Sequence, residues 1–168
     1  MGDEQTDQLD SASAEQVSPV IARALQVLPE GLYLMTSAYD GERAGMLVHS
    51  VMRASVAPPL IVVAARKGHA IDPIIRDSRC FAVGLVDPED KLIRKRFQYA
   101  ESSVSARGET NAPDPFDTFP DRTLVTGSPI LDRCRVWMDC QIVRHVDLET
   151  DYELFVGLVV SARIKDQP

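Results

Sequence analysis

Two short segments hold the residue types that could do chemistry in this chain. His49, Ser50 and Arg53 stand in an otherwise apolar run, GMLVHSVMRASVAPPLIVV, which spans residues 45–63 and breaks at Pro58-Pro59. Arg66, Lys67 and His69 follow at the end of the next apolar stretch, just ahead of Asp72-Pro73. Fixed positive charges beside the backbone N–H groups of a helix start suit an anion such as a phosphate. Arginine and lysine also commonly sit at solvated strand ends, so both readings stand at this point. Alternation puts His49, Val51 and Arg53 on one face of an extended segment, and Val48, Ser50 and Met52 on the other. Taken alone, His49 reads as a rim histidine hydrogen-bonded to backbone.

Other chemistries find little support. No G-x-G-x-x-G follows a strand, so a doubly wound dinucleotide site is not expected. No phosphate loop ending in Lys-Ser/Thr, no H-E-x-x-H and no G-x-S-x-G is present. His49, His69 and His145 lie in three separate segments, and no metal site is expected. Cys80, Cys134 and Cys140 sit in apolar, strand-like surroundings and read as buried free thiols of a reducing cytoplasm. A formal net charge of −7 excludes a general nucleic-acid binder, which needs a basic surface. No run approaches the length of about 18 apolar residues that a membrane span needs. The acidic start, MGDEQTDQLDSASAEQ, has no apolar centre of a secretory signal. A cytoplasmic chain of 168 residues, 45% of them hydrophobic, is expected to form one domain over 15–168 after a mobile acidic segment, 1–14.

The elements that must position these residues follow from periodicity and punctuation. Ser18-Pro19 opens a short amphipathic helix, VIARALQVL, which stops at Pro29-Glu30-Gly31. LYLMTSAY, the Asp40-Gly41 turn and a return strand running from Met46 through Arg53 make a hairpin. LIVVAA is a buried strand, and Asp72-Pro73 reads as the N-cap and first position of a short helix. CFAVGLV is the next strand, and PEDKLIRKRF is a helix with a basic face. Residues 98–123 read as a long loop of the kind that forms lids. RVWMDCQIVRHVDL and YELFVGLVVSARI close the chain as two strands around the turn ETD. Strands predominate, and the hairpins favour an antiparallel sheet closed or nearly closed into a barrel, which hides its edges. The helix between LIVVAA and CFAVGLV is the one crossover able to join parallel neighbours. LIVVAA and FVGLVV are too apolar for so few helices to cover, which predicts a homodimer.

The run GMLVHSVMRASVAPPLIVVAARKGHAIDPIIRDSRCFAVGLV resembles the flavin reductase-like, FMN-binding split-barrel proteins. Gly45, Met46, Ser50, Ser55, Pro58, Pro59 and Leu60 fall in register with that family's Gly-Met-Thr-x-Ser-Ser-Phe and Ser-x-x-Pro-Pro-Leu pattern. Further on, RTLVTGSPILDRCRVWMDC and ELFVGLVV are similar to its last strands, so that the resemblance covers most of residues 20–163. It implies a mainly β fold: a split antiparallel barrel with short peripheral helices, paired as a homodimer around flavin. It also implies FMN in preference to FAD, with NAD(P)H as reductant. Leu47, Val48, His49 and Ser50 would run along the flavin ring, while Ala64, Ala65, Arg66, Lys67, His69 and Ala70 would reach the ribityl chain and phosphate. Leu47 and His49 replace the family's Thr and first Ser, and Gly68, His69, Ala70 and Ile71 replace its Ser-Ser-x-Thr. Lys67 and His69 would then hold the phosphate in place of the lost hydroxyls. Thr150, Asp151 and Tyr152 stand where the family often has Gly-Asp-His, a departure that bears on reductase turnover more than on flavin binding. An oxidoreductase is therefore expected. A flavin-binding carrier or sensor without turnover, and a dimer that has lost flavin, are the alternatives.

Overall fold

The computed structural model of the chain describes residues 17–103 and 114–165. The acidic segment 1–14 and the middle of the expected 98–123 loop lie outside them. Among the described residues, nine strands and three α-helices run in the order α1 (Pro19–Leu25), β1 (Tyr33–Tyr39), β2 (Glu42–Val48), β3 (Ser50–Val56), β4 (Pro59–Arg66), α2 (Ile71–Ser78), β5 (Cys80–Leu85), α3 (Lys91–Ser103), β6 (Asp121–Thr123), β7 (Pro129–Leu131), β8 (Val136–Asp147) and β9 (Tyr152–Ile164). A 3₁₀ turn at Pro115–Thr118 precedes β6.

Seven strands form one sheet in the order β2-β1-β5-β8-β9-β4-β3, and every ladder is antiparallel. The two edge strands, β2 and β3, are consecutive in the chain and separated by His49 alone. A flat sheet would hold such edges about 29 Å apart, at about 4.8 Å per strand. Two Cα steps reach about 7 Å. The sheet therefore has to curl until its edges meet at His49, and it does so without a ladder between β2 and β3. The expected barrel is present, and it is split at that line. The expected single return strand from Met46 through Arg53 is corrected here: it is two strands on opposite edges. Residues on both sides of His49 are extended, so no local signal marks the break.

The expected hairpin is present at Asp40-Gly41, where both residues take positive φ, 49° and 82°. β3 and β4 join through a tight turn containing a cis Ala57–Pro58 peptide. β4 and β5 are not neighbours, so the helix between them joins no parallel pair. That helix, α2, instead buries Ile71, Ile74 and Ile75 in the barrel interior beside Met35, Val63 and Phe81. It begins at Ile71, so Asp72-Pro73 lies inside its first turn and not at its cap. A second core lies on the outer side of β1, β2 and β5, where Ile93 and Phe97 of α3 meet Phe116 and Trp137. The Trp137 indole lies over Gly84, where an added Cβ would come within 2.5 Å of the ring.

Two further expectations change. Part of the 98–123 segment is regular: α3 runs on to Ser103 because RKRFQYAESS contains no Pro or Gly to stop it. In α1 no residue is buried, and the side chains of Val20, Ile21 and Leu25 lie open to solvent. Among the described residues nothing covers its apolar stripe.

Candidate functional site

The two chemistry-bearing segments meet at the split. Ser50 opens β3 directly opposite Ala64 of β4, and Ala64 in turn faces Leu154 of β9. Residues paired across a ladder share a face, and the opposite phase of these strands (Ile61, Val63, Phe155) fills the barrel. The rows Ser50–Ala64–Leu154 and Met52–Val62–Val156 therefore form an outward shelf of small and apolar side chains. At the corner itself, His49 Nδ1 lies 3.1 Å from the Gly31 carbonyl, and Gly31 N–H donates to the His49 carbonyl at 3.2 Å. His49 is the backbone-bonded rim histidine that its position suggests. Leu47, Val48 and Ala65 are buried in the two cores, so only their backbone faces outward.

β4 ends in the cationic loop, where every fixed cation meets a carboxylate. Arg66 lies 3.9 Å from Asp151, and the Lys67 ammonium pairs closely with Asp147. The hydrogen bond from Lys67 holds the Asp147 carboxyl below its ordinary range, and the Glu149 amide adds to this. Lys67 N–H donates to the Asp151 carbonyl at 2.8 Å, which docks the loop on the β8–β9 turn. Gly68 (φ 86°) and His69 both donate their N–H groups to one oxygen of Asp72, at 2.6 and 3.1 Å. Burial pushes the Asp72 carboxyl up in spite of those two bonds, and the charge of Glu153 pushes it further. The His69 ring makes no hydrogen bond among the described residues, and Ala70 is exposed.

Two buried carboxylates escaped the reading of the sequence. Glu153 faces the barrel interior with no exposed surface; His145 Nε2 lies 2.6 Å from its Oε2, and Arg76 lies 3.5 Å from the same oxygen. Among the described residues its Oε1 has no hydrogen-bond partner. The His145 ring stacks on Phe155 with centroids 4.8 Å apart. Asp139 accepts from the amides of Val125 (2.7 Å) and Thr126 (2.8 Å) and from the Thr126 hydroxyl, which fixes the turn ahead of β7. The signal for both was available: Glu153 lies in phase with Phe155 and Gly157, and Asp139 with Trp137.

The three histidines do not converge, and no group of His, Cys, Asp or Glu among the described residues is arranged to hold a metal. The three cysteines are free; burial pushes the thiols of Cys134 and Cys140 up to about 12, and raises the half-buried Cys80 less far. A cleft of about 640 Å³ between the start of α3 and β7, lined by residues such as Asp90, Phe119, Arg133 and Lys165, shares no residue with the split edge.

Known proteins carry this architecture and this sequence pattern. The chain is 26% identical over 136 residues to a ferric-chelate reductase (NAD(P)H) of Archaeoglobus fulgidus, covering 80% of this chain and 75% of that one. It is 26% identical over 151 residues to the NADH-dependent flavin reductase StyB of Pseudomonas fluorescens, covering 90% of this chain and 77% of that one. The crystal structure of nitrilotriacetate monooxygenase component B from Mycobacterium thermoresistibile shares the fold, with a TM-score of 0.73 at 22% identity over 89% of this chain and 76% of that one. Residues 25–168 match the family described as the flavin reductase like domain. That match runs from within α1 through the last strand, and the chain belongs to the flavin reductase-like family.

Proposed function

We propose that the chain is a flavin-binding oxidoreductase of the flavin reductase type, with FMN as its flavin and NAD(P)H as its reductant. Family membership and relatives named for flavin and ferric-chelate reduction support the activity. One observation carries the placement: the small pair Ser50–Ala64 at the split edge leads straight into the loop Arg66–His69. A flat ring needs backbone that it can approach and donors at its polar end. Short side chains at 50 and 64 allow the first, and Lys67 and His69 provide the second, so the residues present fit the group. When bound, flavin supplies the hydride chemistry. The chain binds and orients: Leu47 to Ser50 along the ring, mainly through backbone, and Ala64 to Ala70 along the ribityl chain. Lys67 and His69 hold the phosphate.

The working unit in this reading is a homodimer. The uncovered stripe of α1 and the outward shelf across β3, β4 and β9 support it, because a second copy removes both from water. A cytoplasmic location belongs to the same reading and is supported by the free thiols. Among the described residues no helix is long and apolar enough to cross a membrane.

Tyr152, exposed at the start of β9 where the family often has histidine, favours one second reading: a flavin carrier or sensor without turnover. Purified protein titrated with FMN, then mixed with NAD(P)H, separates the two. Flavin uptake with NAD(P)H oxidation is the expected result. Uptake without oxidation gives the carrier, and no uptake overturns both.

A further inference from the structure

The loop that would meet a flavin phosphate already holds an anion of its own. Gly68 and His69 point their N–H groups at one oxygen, Asp72 Oδ2, at 2.6 and 3.1 Å, much as two amides grip one oxygen of a phosphate. The hydroxyl donors that commonly assist such a grip are absent: Ala70 caps α2 with no side-chain bond, and Ile71 follows with its side chain in the core. The surroundings add to the effect. Arg66, Lys67 and Arg76 are met by Asp151, Asp147 and Glu153, so Asp72 is a fourth carboxylate among three fixed cations. A dianion entering this cluster finds its amide donors taken and the cations neutralised.

We propose that Asp72 is a resident anion that competes with the flavin's phosphate for the amides of Gly68 and His69, and so sets how strongly the chain prefers FMN over unphosphorylated flavin. The residue is a specificity determinant that acts through the loop and takes no part in hydride transfer. Burial and the nearby charge of Glu153 disfavour its ionised form, while the bonds from Gly68 and His69 favour it, so the carboxylate depends on the same two amides that a phosphate would take. The inference rests on the proposed placement of the phosphate at Lys67 and His69.

The test is a titration of full-length wild type, Asp72→Asn, Asp72→Ala and Lys67→Ala with FMN and with riboflavin, beside a thermal melt of each. Asn keeps an acceptor for the two amides and removes the charge; Ala removes both. Asp72→Ala should bind FMN about tenfold more tightly than wild type. Asp72→Asn, whose neutral oxygen is a weaker acceptor for the two amides, should shift the same way by a smaller factor, while riboflavin stays unchanged in both. Where Asp72→Ala does not fold, Asp72→Asn decides alone. An unchanged or lower ratio of FMN to riboflavin affinity in Asp72→Asn overturns the inference. The Lys67→Ala arm identifies which step failed. If Lys67→Ala selectively weakens FMN and Asp72→Asn leaves the ratio unmoved, Asp72 is not the competitor. If neither variant shifts either ligand, the phosphate does not sit on this loop and the placement itself falls.

Discussion

Lys67 is the residue whose chemistry is most open to measurement. Its ammonium rests on Asp147, an exposed carboxylate, and exposed ion pairs contribute little to stability because water and salt screen them. Exchanging that partner for a phosphate costs little, and a charge-assisted bond to phosphate gains about 1.5–3 kcal/mol when well formed. Lys67→Ala should therefore weaken FMN binding about tenfold or more while sparing riboflavin, with a melting temperature close to wild type. Equal losses for the two flavins in a fluorescence titration would place the site elsewhere. The paired state of Lys67 also lowers the expected salt dependence. A free lysine would lose FMN affinity steeply with ionic strength, whereas this one exchanges one anionic partner for another.

At the scale of elements, Arg43 of β2 organises a segment distant in sequence. Its guanidinium bonds Asp114 at 2.7 Å, Asp121 at 2.8 Å and Asp117 at 3.3 Å, and lies 5.0 Å over the Phe116 ring. Burial alone would lower the Arg43 pKa, but the three carboxylates, Asp114 foremost, outweigh it and raise it. These contacts seat Phe116 against Phe97 of α3, with ring centroids 5.3 Å apart. The group is partly exposed, so Arg43→Ala should cost about 1–2 kcal/mol after screening. Hydrogen exchange of residues 114–121 should rise before that of the barrel strands. Uniform protection across both regions would show that Phe116 alone anchors the segment.

For the whole molecule, charge and assembly give two further expectations. The Arg163 bond, then that of Arg122, hold Asp132 below its ordinary value of 3.8. Burial would raise Asp90, yet the Arg133 bond and the amides of Ile93 and Leu92 outweigh it and lower it below 3.8. Groups lowered on folding stabilise the protein above the unfolded value, and that contribution disappears as pH falls through the folded value. Asp72 is raised above 3.8 and acts in the opposite sense: its term is full below 3.8 and is lost as pH rises through its folded value. The urea midpoint should therefore drop as pH falls below 3.8, and Asp132→Asn should flatten that drop. As to assembly, light scattering should give the mass of two chains at micromolar concentration. Polar substitution of Met52 and Val62 on the outward shelf should shift the mass towards one chain while leaving the β-rich circular dichroism spectrum unchanged. A monomer mass for the wild type would leave the stripe of α1 and the shelf without the proposed cover.

Much of this architecture was legible in the chain because its determinants are local. Asp40-Gly41 dictates a tight hairpin through backbone conformation alone, and the period of two in β8 and β9 carries the buried phases: Asp139 with Trp137 on the outer core, Glu153 with Phe155 in the barrel. The nearness of residues 47–50 to 64–70 follows from a hairpin at Pro58-Pro59, again a short-range matter. Asp72 lies four residues from Gly68, and its grip on the loop was open to the same kind of reading. What only the tertiary structure decided involves closure over long separations. The break at His49 exists because a curled sheet brings its edges together there, although the residues on both sides are equally extended. Lys67 meets Asp147 across 80 positions, and Arg43 meets Asp114 across 71. Pairings of that kind depend on which strands become neighbours, and strand order is settled by the packing of the whole core, not by any window of sequence.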